Sequence, residues 1–339
     1  MSGNKITTPI AISIGDPAGV GPEIIAKGWE GRKAENLPPF FAIGDQKSIE
    51  HYWDGPTAII EQPSEALAVF DHALPILNMY DGGDIAAGMP TLAGANCAFQ
   101  ALEMATGFAK SGAACALVTG PVSKIQLYSV GFTHPGQTEF IAERCGVSQN
   151  NAIMMLAGPS LRVVPLTTHI ALNAVSAALT SRVIRQKIRA TAKGLQRNFG
   201  IEKPRIAVAG LNPHAGENGK FGHEEDEIMR PALAALRAEG YDISGPLSAD
   251  TMFHRDAREK YDVAICGYHD QALVPLKTLY FYEAVNITLG LPMVRTSPDH
   301  GPAFEIAGKN IASEKSMIEA IKMAYNAAQA RANYLQQAA

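Results

Sequence analysis

Apolar residues gather along this chain in short runs that end in Gly, Pro, Asn or Asp, with longer stretches of mixed polarity between them. Residues 10–14, 40–43, 114–118, 153–156, 162–165, 206–209 and 263–266 are nearly continuous apolar runs bounded by turn residues, which predicts strands buried on both faces. The intervening segments 22–27, 94–110, 138–145, 175–199, 225–239 and 313–336 carry the mixed pattern of helices that cover a sheet. Pro22 directly after Gly21 suits a first helical turn, where a missing N–H costs nothing. Strands alternating with helices predict an α/β fold with largely parallel strands. No internal repeat or low-complexity linker marks a boundary, so a chain that crosses between domains more than once fits the pattern.

Length sharpens this picture. The chain has 339 residues, and at about 100–200 residues per domain that predicts two domains. An apolar fraction of 47% with 18% charged residues excludes a disordered chain. The formal net charge is −4, and no basic run occurs, which argues against nucleic acid or an anionic membrane as partner. Cys97, Cys115, Cys145 and Cys266 lack any metal or redox spacing and read as buried free thiols. Residues 1–9 have no signal-peptide core, and no apolar run approaches the roughly 18 residues a bilayer span needs, so a soluble cytoplasmic protein is expected.

Open α/β sheets bind ligands at the carboxyl ends of their strands, and polar residues directly after the apolar runs are therefore the candidates. Three histidines occupy such places: Thr167-Thr168-His169, Asn212-Pro213-His214-Ala215-Gly216 and Tyr268-His269-Asp270-Gln271. Brought to one rim they would hold a divalent cation with positions left for substrate; kept apart they are three loop histidines. Lys277, Asn286 and Arg295 lie in the densest polar stretch, where Arg and Lys beside apolar residues point either to an anionic ligand or to an internal salt bridge. Asp250 is placed to orient a His or Lys, or to cap a helix. Gly15-Asp16-Pro17-Ala18-Gly19-Val20-Gly21 reads as a tight turn, with anion binding as the alternative. The chain has no G-x-G-x-x-G, no P-loop, no H-E-x-x-H and no G-x-S-x-G, so a dinucleotide would have to bind without the Rossmann fingerprint.

Several of these motifs together, with Thr138-Glu139-Phe140, Ala249-Asp250-Thr251 and Asn286-Ile287-Thr288-Leu289-Gly290-Leu291-Pro292-Met293-Val294-Arg295-Thr296-Ser297, resemble the 4-hydroxythreonine-4-phosphate dehydrogenase (PdxA) family from the first strand to about Lys309. The resemblance implies an isocitrate/isopropylmalate-dehydrogenase-like fold, two α/β/α domains around a cleft, with residues 1–130 and 300–339 in the first domain and 131–299 in the second. It implies a homodimer with its active site at the subunit interface, and a divalent metal (Zn, Mg or Co) on His169, His214 and His269, drawn from both subunits. It places substrate at Gln137, Thr138, Lys277, Asn286 and Arg295, and NAD or NADP along Gly290, Leu291, Thr296, Ser297, Asp299 and His300. Lys277 and Asp250 are the expected catalytic pair. The implied reaction is oxidation of 4-phosphooxy-L-threonine to 2-amino-3-oxo-4-phosphooxybutanoate, which decarboxylates to 3-amino-2-oxopropyl phosphate in pyridoxal phosphate biosynthesis. Relatives of the same scaffold act on D-threonate or D-erythronate 4-phosphate or on aromatic dihydrodiols, which are the alternative substrates. Three positions depart from the family pattern: Gln137 where His is usual, Pro302 where Thr is common, and Ala272 for a frequent Gly. Outside this family, a small-anion binding protein or a metal-dependent hydrolase are the rival classes, the first without need of three strand-end histidines and the second without a nicotinamide site.

Overall fold

A computed structural model describes residues 6–79 and 85–338; residues 1–5 and 80–84 of the expected first domain, and residue 339, lie outside it. The chain forms two compact units, one within Met1–Val147 and Leu291–Asn333 and the other within Ser148–Gly290 and Tyr334–Ala339. The divisions fall at 147/148, 290/291 and 333/334, whereas only 130/131 and 299/300 were expected. Two local contacts account for the two shifted divisions. The helix Gln137–Arg144 is tied to the helix Leu92–Ser111 by Arg144 Nε donating to Glu103 at 2.8 Å, and the strand at Arg295–Pro298 pairs within the first unit.

The chain builds β1 (Ile10–Ser13), β2 (Phe40–Gly44), β3 (Thr57–Ile59), β4 (Leu74–Asn78) and β5 (Ala116–Thr119) in the first unit. The second unit holds β6 (Ile153–Gly158), β7 (Leu161–Pro165), β8 (Ile206–Ala209), β9 (Ile243–Leu247), β10 (Val263–Cys266) and β11 (Val285–Leu289), and β12 (Arg295–Pro298) returns to the first. Within the first unit the strand order is β3-β4-β2-β1-β5-β12 with every pair parallel. Within the second it is β11-β6-β7-β10-β8-β9. There β7, β10, β8 and β9 run parallel, while β6 is antiparallel to both β7 and β11. The expected α/β class holds, with this antiparallel insertion as the exception: Gly158 pairs with Leu161, leaving only two residues for the β6–β7 turn, too few for a parallel crossover.

All seven apolar runs are strands. Every residue of β1, β2, β5, β8 and β10 is buried, as two-sided coverage requires. Five strands escape the hydrophobic pattern: β3, β4, β9, β11 and β12. β12 reads Arg-Thr-Ser-Pro and is nonetheless fully buried, because pairing with β5 rather than side-chain hydrophobicity makes it a strand. The single helix expected over 175–199 is broken: Thr180 Oγ1 accepts the Val183 N–H at 3.2 Å and caps a new helix, Ser181–Phe199. The helix His269–Tyr280 was not expected, since Pro275 lies inside it. Burial of Ala272, Leu273 and Leu276 against Val163, Ala264 and Cys266 holds it to β7 and β10. All four cysteines are free, Cys97 and Cys266 buried as expected and Cys115 and Cys145 only half-buried, and burial pushes the Cys97 and Cys115 thiols up to about 12. Among the described residues, no helix is long and apolar enough to cross a membrane.

Candidate active site

In the second unit β7 and β10 are parallel neighbours, so their carboxyl ends lie side by side. The turns that follow carry His169 and His269, whose ring centroids are 5.6 Å apart. Both line a cavity of about 290 Å³ together with Thr168, Val175, Tyr268 and Asp270. His269 Nδ1 lies 2.7 Å from Asp270 Oδ1; in the tautomer that donates to this carboxylate, Nε2 is the nitrogen with a lone pair to offer. His214 follows β8 in the turn Pro213–Gly216, with its ring 6.1 Å from that of Phe221, and it does not line this cavity. Among the described residues of one chain, no three His, Cys, Asp or Glu side chains form a metal-ligand set. The structure therefore brings His169 and His269 together and leaves His214 outside the pair.

Backbone conformation singles out two of these histidines. His169 (φ +50°) and His214 (φ +54°) both occupy the left-handed region, which non-glycine residues adopt at a cost and which concentrates at functional sites. The donor chemistry of His169, His214 and His269, imidazole nitrogens at strand ends, fits a zinc-type ion, and within one chain His169 and His269 are the two that neighbour each other.

Hydrogen bonds lace the three histidine turns. Gln271 Oε1 accepts the Gly267 N–H at 2.6 Å, and its Nε2 donates to the Gly210 carbonyl at 2.8 Å, linking the ends of β10 and β8. Thr167 Oγ1 donates to the Gly267 carbonyl at 2.8 Å, linking β7 to β10. The turn Ala249–Thr251 places Asp250 near His214: the Ser248 hydroxyl, 2.7 Å away, holds the Asp250 carboxyl below the usual carboxylate range, and the His214 ring adds to the effect. Lys277 lies on the helix His269–Tyr280 with Nζ 5.8 Å from the Phe281 ring centroid. Asn286 sits on β11, where its Oδ1 is buried without a hydrogen-bond partner among the described residues.

The first unit gathers a second set. Arg295, at the start of β12 and only 3% exposed, donates from Nη2 to Thr119 Oγ1 at 2.6 Å. Longer contacts of 3.5 Å reach Gln137 Oε1 and Thr138 Oγ1, both in the first turn of the helix Gln137–Arg144. Gln137 Nε2 donates in turn to the Gly120 carbonyl at 3.3 Å. Burial pushes the Arg295 guanidinium down to about 10, and the charge of Glu139 partly opposes that. Even so the group remains a cation at neutral pH. The loop after β1 is a turn packed on its own chain: Asp16 N–H donates to the Pro121 carbonyl at 3.0 Å and Val20 N–H to the Pro302 carbonyl at 2.9 Å.

Of the residues expected along a dinucleotide, several serve the fold. Gly290 has φ +88°, and a Cβ there would lie 1.9 Å from the Asn151 carbonyl oxygen, so its close approach is to its own chain. The Leu291 carbonyl accepts from Arg331 at 3.0 Å, and Thr296 Oγ1 donates to the Ala320 carbonyl at 2.8 Å. Ser297 is buried. At the exit of β12 Asp299 is half-buried and His300 exposed, and Gly290 is the other exposed member of the set.

Thr119 and Gln271 are part of this arrangement without having been singled out as site residues from the sequence. Thr119 had a usable signal, since it is the polar residue directly after the predicted strand segment 114–118 and before Gly120-Pro121. Gln271 had none beyond its place beside His269, because its two partners come from different strand ends.

Comparison with known proteins identifies the family. The family model described as "Pyridoxal phosphate biosynthetic protein PdxA" matches residues 36–324. A protein of Zymomonas mobilis named 4-hydroxythreonine-4-phosphate dehydrogenase is 53% identical over 97% of this chain and 98% of its own. One of the same name from Erythrobacter litoralis is 48% identical over 96% and 98%. The crystal structure of 4-hydroxythreonine-4-phosphate dehydrogenase from Klebsiella pneumoniae superposes with a TM-score of 0.86 at 37% identity, covering 96% of this chain and 99% of that one. Similarity of this degree over nearly its full length makes the chain a member of the PdxA family of pyridoxal phosphate biosynthetic proteins.

Proposed function

We propose that this chain is an NAD- or NADP-dependent dehydrogenase that oxidises the C3 hydroxyl of 4-phosphooxy-L-threonine. The product, 2-amino-3-oxo-4-phosphooxybutanoate, is a β-keto acid that loses CO₂ to give 3-amino-2-oxopropyl phosphate. The observation that carries this reading is the buried Arg295 guanidinium gathered with Gln137 and Thr138 at a strand end, in a chain of this family. Arg295 grips a substrate anion, for which its planar fork is suited. Thr138 and Gln137 orient the same group, and the buried Asn286 Oδ1 accepts a donor from the substrate. Lys277 Nζ either receives the proton of the C3 hydroxyl, as the neutral amine, or holds the substrate by its charge, as the ammonium, and Asp250 orients His214. Asp299 and His300 meet the dinucleotide.

His169, His214 and His269 are the residues that would hold a divalent zinc, magnesium or cobalt ion. When bound, such an ion lowers the pKa of the substrate hydroxyl, and the nicotinamide supplies the hydride acceptor. With His214 outside the His169–His269 cavity, the set is completed by a second copy of the chain. Exposed Leu172, Val274, Phe281 and Tyr282 in the same unit support a homodimer.

The test is appearance of reduced nicotinamide on adding 4-phosphooxy-L-threonine, with and without chelator. His214→Ala is expected to lose most activity and most bound metal while remaining folded. Unchanged turnover of that variant in metal-free buffer refutes the metal assignment. Oxidation of D-threonate or D-erythronate 4-phosphate, or of an aromatic dihydrodiol, with none of the phosphothreonine, refutes the substrate assignment.

A further inference from the structure

The turn that carries His214 runs against local preference. Six consecutive residues, from His214 to Gly219, have positive φ, between +40° and +83°, and four of them are not glycine. Such a run persists only where its surroundings hold it.

The surroundings are specific. Glu225 is 1% exposed, and its carboxyl faces the residue that opens the turn: Oε1 accepts the Asn212 N–H at 2.7 Å and Oε2 accepts Asn212 Nδ2 at 3.0 Å. Glu224 Oε2 accepts from the same Nδ2 at 2.7 Å, while its Oε1 accepts the Ser176 hydroxyl at 2.6 Å. Ser176 adjoins Val175, which lines the cavity of His169 and His269. Glycines make room for this arrangement. A Cβ on Gly216 would lie 2.7 Å from Glu225 Oε2, one on Gly222 2.3 Å from Asn212 Nδ2, and one on Gly210 2.8 Å from the Ala215 backbone. Glu225 also opens a π-helical turn, Glu225–Met229, a distortion frequent at functional sites.

We propose that Glu225 and Asn212 are positioning residues that clamp the His214 turn in its left-handed path, and that Glu224 ties this turn through Ser176 to the wall of the His169–His269 cavity. This rests on the role given to His214 above, and the experiment separates the two.

Wild type, Glu225→Ala, Asn212→Ala, Ser176→Ala and His214→Ala are compared as full-length protein. Hydrogen exchange is followed in the metal-free state at the amides of Asn212, Ala215 and Glu217, which are hydrogen-bonded in the clamped turn. Zinc affinity is measured by competition with a chromophoric chelator. Glu225→Ala and Asn212→Ala are expected to speed exchange at these amides at least about tenfold and to weaken zinc binding about 10–100-fold, as loss of groups that orient a metal ligand does. Ser176→Ala is expected to shift both in the same direction by less. Unchanged exchange in Glu225→Ala and Asn212→Ala overturns the clamp. So does faster exchange with zinc affinity retained, when His214→Ala weakens it, since that is the outcome of a purely structural role. Zinc affinity retained by His214→Ala refutes the role of His214 instead, and faster exchange in the clamp variants then still supports the clamp. If Glu225→Ala does not fold, Glu224→Gln, at a half-buried position, is read in the same two assays.

Discussion

Thr119→Val isolates the hydrogen bond that holds Arg295. Thr119 is fully buried, and its Oγ1 accepts from Arg295 Nη2 at 2.6 Å. Valine has nearly the same shape, so the change removes an acceptor from a charged donor without opening a cavity. Hydrogen bonds to charged groups contribute about 1.5–3 kcal/mol. At about 1.4 kcal/mol per factor of ten, that is roughly 10–150-fold in an equilibrium. Urea unfolding is expected to show a stability loss of about that size. If the guanidinium grips the substrate anion, losing its orientation weakens substrate binding in ground and transition states alike. KM for 4-phosphooxy-L-threonine then rises about tenfold or more with kcat little changed. Thr119→Ser, which restores the hydroxyl, recovers KM. A stability loss with KM and kcat both at wild-type values would refute the reasoning, because Arg295 would then be a structural cation.

Gln137 keeps a donor and an acceptor at every pH, and both are in use, on Gly120 and toward Arg295. Gln137→His is expected to alter KM more than kcat and to add a titration near about pH 6.5; a rise in kcat alone shows that the position transfers protons. Burial raises the Asp16 carboxyl above its usual range, against the Ala18 N–H that donates to it at 3.1 Å. The folded state therefore holds this proton more tightly than the unfolded chain, so the stability contribution of Asp16 falls as pH rises from about 3.9 to the native value, and the penalty is complete above it. Asp16→Asn removes that slope, and urea unfolding from pH 4 to 8 checks it, identical slopes counting against the assignment. Gly290→Ala is expected to destabilise by about 2 kcal/mol or more, from the left-handed backbone and the close Asn151 carbonyl together; an unchanged urea midpoint would show that this approach is not tight.

Local chemistry made part of this protein legible before any coordinates. Strands buried on both faces must be apolar throughout, and β1, β2, β5, β8 and β10 could be read from that pattern. The three strand-end histidines were equally visible, because polar residues directly after apolar runs are a local property, whereas Gln137 and Thr138 entered only through the resemblance to a known family. The same logic failed where neighbours decide. β12 is a strand through pairing with β5, and the helix bearing Lys277 survives an internal proline through its packed face.

The amino-acid sequence by itself determined the α/β class, the family, and which side chains stand at strand ends. Only the tertiary structure decided which of them meet: His169 with His269 because β7 and β10 are neighbours, Thr119 with Arg295 across 176 positions, and His214 outside the pair. A residue's preference for strand, turn or helix is set within a few positions of itself. The order of strands in a sheet is instead set by many weak, long-range pairings summed over the whole unit, and strand order determines which ends converge.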